Sequence, residues 1–562
     1  MLTQYHLTLD VWRLIFDLLA IRDLKNFCLV SQAFNLIATP LLYRSIHLIE
    51  WQDPCPVRRP RFKEYDEEQP PLKGHALLLS RLGDDRNDAL RALVQEVNIS
   101  YPAGSFSQDS VHRLQTDDYL IKLIARLPNL RRITLAIPKL QSDLLAHTIC
   151  NHPAKPELLL LRQSGESETC TFADQTLPCV STLSANVNPY IKPKDPTRRL
   201  LTIQQLFFNC PNLRSFSLEV SGIYGGCVIL APRHDRVTSF QLTGEETFPP
   251  LQHLSFDGYC IGDQEWEYWR DGVQWERLSS LAVGPDTTTG VLGRLAGYAT
   301  RLTTLKVSAW AGDSFPDMAG LDELLLSFNS LETLELKGHR CSIEAIANHR
   351  NLSTLCLHED ELAHSQAQRR APTAQELEHL DLHCPNLKSL KVCVNRGENQ
   401  WPDYILHHLA KGFKNLRDLS IHFELGLADI KNPIKPTINY KSVQALGDNF
   451  FEQRKQSGIE VSQLFTLTLW TGKYFRRYPQ WQPSFSKFED RYTATYKLRL
   501  HCDKVIVRHL QKERLDSIWR GEINVSKYDH KFLCDNLEAA VEGPKDDDRS
   551  FGYGFGFGAL SV

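Results

Sequence analysis

Residues 384–392, CPNLKSLKV, carry the pattern that most limits what this chain can become. An apolar residue, Leu387, is followed at +3 and +5 by two more, Leu390 and Val392. The same spacing recurs at Tyr43-Ile46-Leu48, Val94-Val97-Ile99, Leu130-Ile133-Leu135, Leu213-Phe216-Leu218, Leu251-Leu254-Phe256 and Leu278-Leu281-Val283. It continues through Leu302-Leu305-Val307, Leu331-Leu334-Leu336, Leu352-Leu355-Leu357, Leu416-Leu419-Ile421 and Leu464-Leu467-Leu469. The last two members of each triplet are two residues apart, the side-chain period of a strand. Each triplet therefore predicts a short strand with one apolar face. Starts from Leu251 to Leu416 are 27, 24, 29, 21, 35 and 29 residues apart.

Between the triplets lie helical patterns, such as LIKLIARLPNL at 120–130 and LEHLDLHCPNL at 377–387. Each ends in a helix stop, often Cys-Pro-Asn or Leu-Pro-Asn, before the next strand. Helix and strand alternating at roughly 20–29 residues is the period of leucine-rich repeats. A doubly wound α/β enzyme would need strands buried on both faces, hence unbroken apolar runs. TLELKG, SLKVCV and DLSIHF alternate instead, so one strand face meets solvent. The expected fold is an α/β leucine-rich-repeat solenoid, a curved parallel sheet with outer helices. The position eight after the first leucine, often Asn in regular repeats, is Asn395 once but Ser221, Tyr259, Trp310, His339 and Asp360 elsewhere, so irregular loops are expected.

Residues 7–40 lack this repeat. Val11, Leu14, Ile15, Leu18 and Leu19 form one apolar stripe of a short helix. Arg22-Asp23 opens a second helix; Ser31 caps a third, and Pro40 is expected to stop it. Three short helices cannot bury so much apolar surface alone. Leu7, Asp10-Val11-Trp12, Ile15-Phe16, Leu18-Leu19, Leu24, Cys28-Leu29-Val30-Ser31 and Phe34 stand in the register of an F-box, which the segment resembles. Thr8 holds the place where that pattern usually has proline. Tyr43, Ile46 and Leu48 follow where fungal F-box proteins open a leucine-rich repeat. The expected organisation is an F-box at 1–42 and degenerate repeats at 43–510, with loops at 51–75, 136–200 and 471–495 and one further degenerate repeat hidden near Leu158–Leu161. A cap at 511–547 and a flexible Gly/aromatic tail at 548–562 complete it.

Composition narrows the function. The formal charge of −3 over 562 residues gives no field for nucleic acid or an anionic membrane. No apolar run approaches the roughly 18 residues of a membrane span. Asp10, Arg13 and Asp17 interrupt the first apolar stretch, so a secretion signal is not expected, and the chain is placed in the cytoplasm or nucleus. The 14 cysteines include no Cys-x-x-Cys pair and read as core thiols. No Walker A, G-x-S-x-G or HExxH pattern is present. His358-Glu359-Asp360-Glu361 with His364 is the most metal-like local cluster, and reads as a solvated charged loop. Neither catalytic residues, metal ligands nor a cofactor are assigned from sequence.

Binding therefore has to come from surface. The F-box resemblance implies docking on a Skp-family adaptor, and through it a cullin scaffold, by Leu7, Val11, Ile15, Leu18, Leu24, Leu29 and Val30. By strand alternation, triplet positions +2, +4 and +6 face outward on the concave side. That places Lys306, Glu335, Lys337, His358, Lys391, Asp418, His422 and Trp470 there as candidate contacts for a protein target, with Trp470 the expected anchor. The resemblance thus implies the substrate-recognition subunit of an SCF-type cullin–RING ubiquitin ligase. The alternative is a leucine-rich-repeat interaction scaffold whose N-terminal helices are only a cap, with the apolar stripe covered by residues 41–130.

Overall fold

The computed structural model describes residues 8–49, 71–100, 120–136, 143–164, 175–187, 197–220, 240–259, 261–284, 291–308, 318–338, 341–361, 369–396, 400–427, 434–459, 464–472 and 493–510. Leu7, the loop at 51–70, most of the aromatic stretch at 471–495, and the expected cap and tail lie outside them. The chain divides into two compact units. The first comprises residues 1–224, 230–255 and 261–274, and the second 225–229, 256–260 and 275–562.

The first unit opens with three helices, α1 (Leu9–Asp17), α2 (Ile21–Val30) and α3 (Gln32–Arg44). Ser31 caps α3 as expected: its Oγ accepts from the Phe34 N–H at 3.1 Å. Thr8 sits at the N-cap of α1, but its side chain makes no capping bond. Pro40 does not stop α3, which continues to Arg44; proline removes one donor from the ladder while leaving the turn in place. Strands β1 (Ser45–Ile49), β2 (Glu96–Ser100), β3 (Arg132–Ala136), β4 (Glu157–Ser164), β5 (Val180–Val187) and β6 (Ser215–Val220) follow. Each pairs with the next in parallel.

The stretch read as a loop at 136–200 thus holds two strands and the helix Asp143–Cys150. The hidden repeat is there, and a second follows it. Lys155 adopts a left-handed φ of 48° where the triplet would begin with an apolar residue. In β5 the register slips: Leu158 pairs with Val180 but Leu159 with Thr182, so Ser181 is an extra residue. A bulge of this kind shifts the pairing with β4 without breaking the sheet, and Val180, Leu183 and Ala185 still stand at 0, +3 and +5, all buried. Pro71 opens a helix running to Gly83, so helix replaces the last part of the loop expected at 51–75; proline is at home in a first turn.

Strand β7 (His253–Asp257) has residues in both units. The second unit continues with β8 (Ser280–Val283), β9 (Thr304–Ser308), β10 (Thr333–Lys337), β11 (Thr354–His358), β12 (Ser389–Val394), β13 (Asp418–Phe423) and β14 (Thr466–Thr471). These also pair in parallel and in chain order. Leu305, Leu334, Leu355, Leu390, Leu419 and Leu467 stand in one register row and are all buried. Among triplet leaders Leu464 is exposed, at 71%, and Tyr43 is half-buried, while the others are buried. Each unit is thus a solenoid-like stack of helix and strand. The second ends differently from the expected repeat: β15 (Thr495–His501) and β16 (Lys504–His509) are antiparallel. Their two-residue loop, Cys502 and Asp503, has φ of 49° and 60°, a turn in which both central residues are left-handed.

The asparagine ladder is present, but not at position +8. Asn129, Asn212, Asn386 and Asn415 each directly precede the first residue of a triplet. Their Nδ2 groups donate to the carbonyls of Ala92, Pro178, Arg350 and Pro385 in the preceding turn, at 2.7, 2.8, 3.2 and 2.8 Å. The Asn-Leu pair, preceded by proline at three of these four turns and by Lys414 at the fourth, therefore ends one helix, ties its turn to the previous one, and starts a strand.

Two stability measurements follow from this packing. Leu390→Ala removes a wholly buried side chain and should lower unfolding free energy by about 2–5 kcal/mol in urea titrations. Leu382→Ala, on the exposed side of the helix Ala374–His383, should change it by less than about 0.5 kcal/mol. His349 is buried against Phe328, with ring centroids 5.1 Å apart, and burial pulls its pKa from 6.5 to about 4. Between these values the unfolded chain binds a proton that the folded chain refuses. Its contribution is present above pH 6.5 and is lost as pH falls toward 4. In His349→Leu, urea midpoints across that window should lose part of their slope.

Candidate functional site

Two surfaces bear the residues singled out by sequence. The first belongs to the three N-terminal helices. Their core is small and aromatic: Phe16, Leu24, Ile37 and Ala38 are buried, with Trp12, Ile15, Phe27 and Phe34 packed against them. Ring centroids of Trp12–Phe34 and Phe16–Phe27 lie 5.0 and 4.9 Å apart. Arg44 Nη1 donates to Asp17 at 3.1 Å, joining the end of α3 to the end of α1.

This core uses one side of each helix. Val11 is 38% exposed, and Leu18 and Leu29 are each 87% exposed; Val30 is also exposed. Leu14, Ile21 and Leu36 are exposed as well, and were not among the expected adaptor contacts. Val11, Leu14 and Leu18 share one face of α1 by their spacing. Leu24 is a correction: it is buried in the core and unavailable to a partner. Ile15 is half-buried for the same reason. Single-sequence periodicity gave one wide stripe and could not divide its inner from its outer edge.

The second surface is the outward side of β9–β14. Lys306, Glu335, Cys356, Lys391, Ser420 and Thr468 form one cross-strand row, and Lys337, His358, Cys393, His422 and Trp470 form the next. Lys306 and Glu335 pair at 2.8 Å. Lys337 and Asp418 are exposed, as expected. His422 is not: although it points outward by register, it is buried, as is Cys393.

Loops fold back over the ends of β11–β13 and cover them. Arg369 donates from Nη2 to the carbonyls of Val394 and His422 and to Glu424, and from Nε to the Asn395 side chain. Glu424 accepts from the Arg396 backbone N–H at 2.5 Å. The Glu361 carboxylate accepts from the Leu425 and Leu427 N–H groups at 2.7 and 2.5 Å. Glu424 is thus a buried carboxylate facing two buried guanidiniums. Burial outweighs them and holds its pKa above the usual range.

Beneath this cover the side chains converge. His358 Nε2 bonds Asp360 Oδ1 at 3.0 Å, and His358 Nδ1 lies 3.4 Å from Cys393 Sγ. His422 Nδ1 lies 3.8 Å from the same sulfur, and its Nε2 bonds the Gly472 carbonyl at 3.1 Å. Burial works against both charged forms, but the hydrogen bonds to Asp360 and Cys393 raise His358, while the His358 bond and the Arg369 charge lower Cys393. His422 is pushed well below 6.5 by burial and by Arg369. Trp470 closes the group: its ring lies 3.9 Å from His422, Lys391 Nζ sits 4.4 Å over its centroid, and its Nε1 donates to Ser420. It is half-buried, so only part of the expected anchor faces outward.

Asp360, His358 and Cys393 have the order of a thiol-protease triad. The sulfur is wholly covered, so no substrate atom reaches it in this arrangement. No protein-family model matches the chain, and no curated protein matches it.

Glu424→Ala should uncover two buried guanidiniums at once. A loss of about 3–5 kcal/mol in chemical denaturation is expected; Asp418→Ala, on the exposed part of the same sheet, should change stability by less than about 0.5 kcal/mol.

Proposed function

We propose that the chain is the substrate-recognition subunit of an SCF-type cullin–RING ubiquitin ligase. In this reading α1–α3 are an F-box that docks a Skp-family adaptor, and the outward strand rows hold a protein target. The chain performs no bond chemistry itself; it raises the effective concentration of target lysines beside a ubiquitin-charged enzyme.

One observation carries the reading: Val11, Leu14, Leu18, Leu29 and Val30 stand in solvent on helices whose own core is already filled. Taking a large apolar side chain fully out of water contributes about 1.5–3 kcal/mol. Several such side chains on two consecutive short helices favour a partner of complementary apolar surface. A cap serving only its own repeats would have covered Leu18, and this supports adaptor docking over the scaffold reading. Lys306, Glu335, Lys337, Lys391, Asp418 and the outer part of Trp470 are the proposed target contacts.

Leu18→Asp with Leu29→Asp tests this without disturbing the core, because both side chains lie outside it. The full chain should co-purify with a recombinant Skp-family adaptor, and the double variant should lose at least tenfold in affinity at unchanged circular dichroism. Absence of adaptor binding in the parent chain, or retention in the folded double variant, contradicts the proposal.

A further inference from the structure

His358, Cys393 and His422 come from three neighbouring parallel strands and offer one donor atom each, all within 4.8 Å of one another. The tautomers are set from behind. His358 gives its Nε2 to the Asp360 carboxylate, and His422 gives its Nε2 to the Gly472 carbonyl. Both Nδ1 atoms are thereby left on the side of Cys393 Sγ, at 3.4 and 3.8 Å. A carboxylate or backbone carbonyl behind each imidazole is the arrangement that orients metal-ligating histidines. Zinc–sulfur bonds of about 2.3 Å and zinc–nitrogen bonds of about 2.0–2.1 Å at tetrahedral angles separate sulfur from nitrogen by roughly 3.5 Å. The two sulfur–nitrogen distances bracket that value.

We infer that His358 Nδ1, Cys393 Sγ and His422 Nδ1 form a binding site for a thiophilic transition-metal ion, with Zn²⁺ the fitting divalent ion. One thiolate and two neutral imidazoles suit zinc or copper and disfavour magnesium or calcium, which take oxygen donors. The cation takes the place of the proton shared by Cys393 and His358, and one proton leaves to solvent as it binds. Three protein ligands leave one position of a tetrahedral site beneath the cover. Arg369 also donates to His422 Nδ1, so guanidinium and metal compete for one lone pair; Glu424 and Asn395 keep that guanidinium anchored when it yields the bond. The ring of Trp470 shields the histidine pair, at 3.9 and 5.1 Å.

The full-length chain, stripped with a chelator and dialysed against Zn²⁺, should retain one equivalent by elemental analysis. Loaded with Co²⁺ instead, it should show a thiolate-to-cobalt charge-transfer band. Cys393→Ser and His422→Gln should abolish retention, and Cys356→Ser, a buried thiol in the neighbouring row, should keep it. Asp360→Asn, half-exposed and therefore safe for folding, should weaken affinity by about 10–100-fold. A folded parent chain that holds no zinc and shows no thiolate–cobalt band overturns the inference without recourse to any variant. So does stoichiometric zinc retained by Cys393→Ser.

Discussion

Everything in the second unit depends on parallel strands pairing without slip. Leu305, Leu334, Leu355, Leu390, Leu419 and Leu467 share one row, and Val307, Leu336, Leu357, Val392, Ile421 and Leu469 the next inward row. Side chains alternate with a period of two, so a one-residue slip would send both rows to solvent and bring Lys306, Glu335 and Lys391 inside. Hydrophobic burial therefore fixes register, and register decides which residues meet on the outward face. His358, Cys393, His422 and Trp470 are neighbours because their strands carry the same count from the same leucine. The Asn-Leu turns reinforce that count, since each of these asparagines donates to the turn before it.

The outward face divides by its cover. Lys306 and Glu335 pair in the open, where a single ion pair is worth little. At the ends of β11–β13 the loops carrying Glu361, Arg369, Arg396 and Glu424 seal in Cys393 and His422 of the next row. Buried charge is a poor source of stability, because desolvation consumes most of the attraction. Its value here is positional: Arg369 and Glu424 hold loops that would otherwise leave Cys393 open. The three N-terminal helices show the reverse economy, with a compact aromatic core inside and leucines outside.

The periodic part of this fold was legible because the physics that builds it is local. A helix stop, a turn and two alternating apolar residues are all written within nine residues. Legibility failed where a long-range contact or a backbone irregularity decided the outcome. In β5 the triplet Val180-Leu183-Ala185 keeps the spacing but ends on a small alanine, and Ser181 shifts its pairing with β4. Cys502-Asp503 turns the chain back without the Asn-Gly signature of such loops. The asparagine ladder was sought at +8 when the working asparagine stood at −1. His422 and Cys393 pointed outward by alternation, but the cover over them comes from Arg369 and Glu424, which alternation does not see. Likewise His358 looked like one member of a charged loop, His358 to Glu361. Its sulfur partner lies 35 residues away, and only the strand pairing brings it near.

Hydrogen–deuterium exchange on the full chain, with and without a purified Skp-family adaptor, separates the two surfaces most directly. Peptides covering α1 and α2, residues 9–30, should gain protection with adaptor, while peptides covering β9–β12 should not change. Unchanged exchange at 9–30, or protection confined to the strands, contradicts the assignment of adaptor binding to the N-terminal helices.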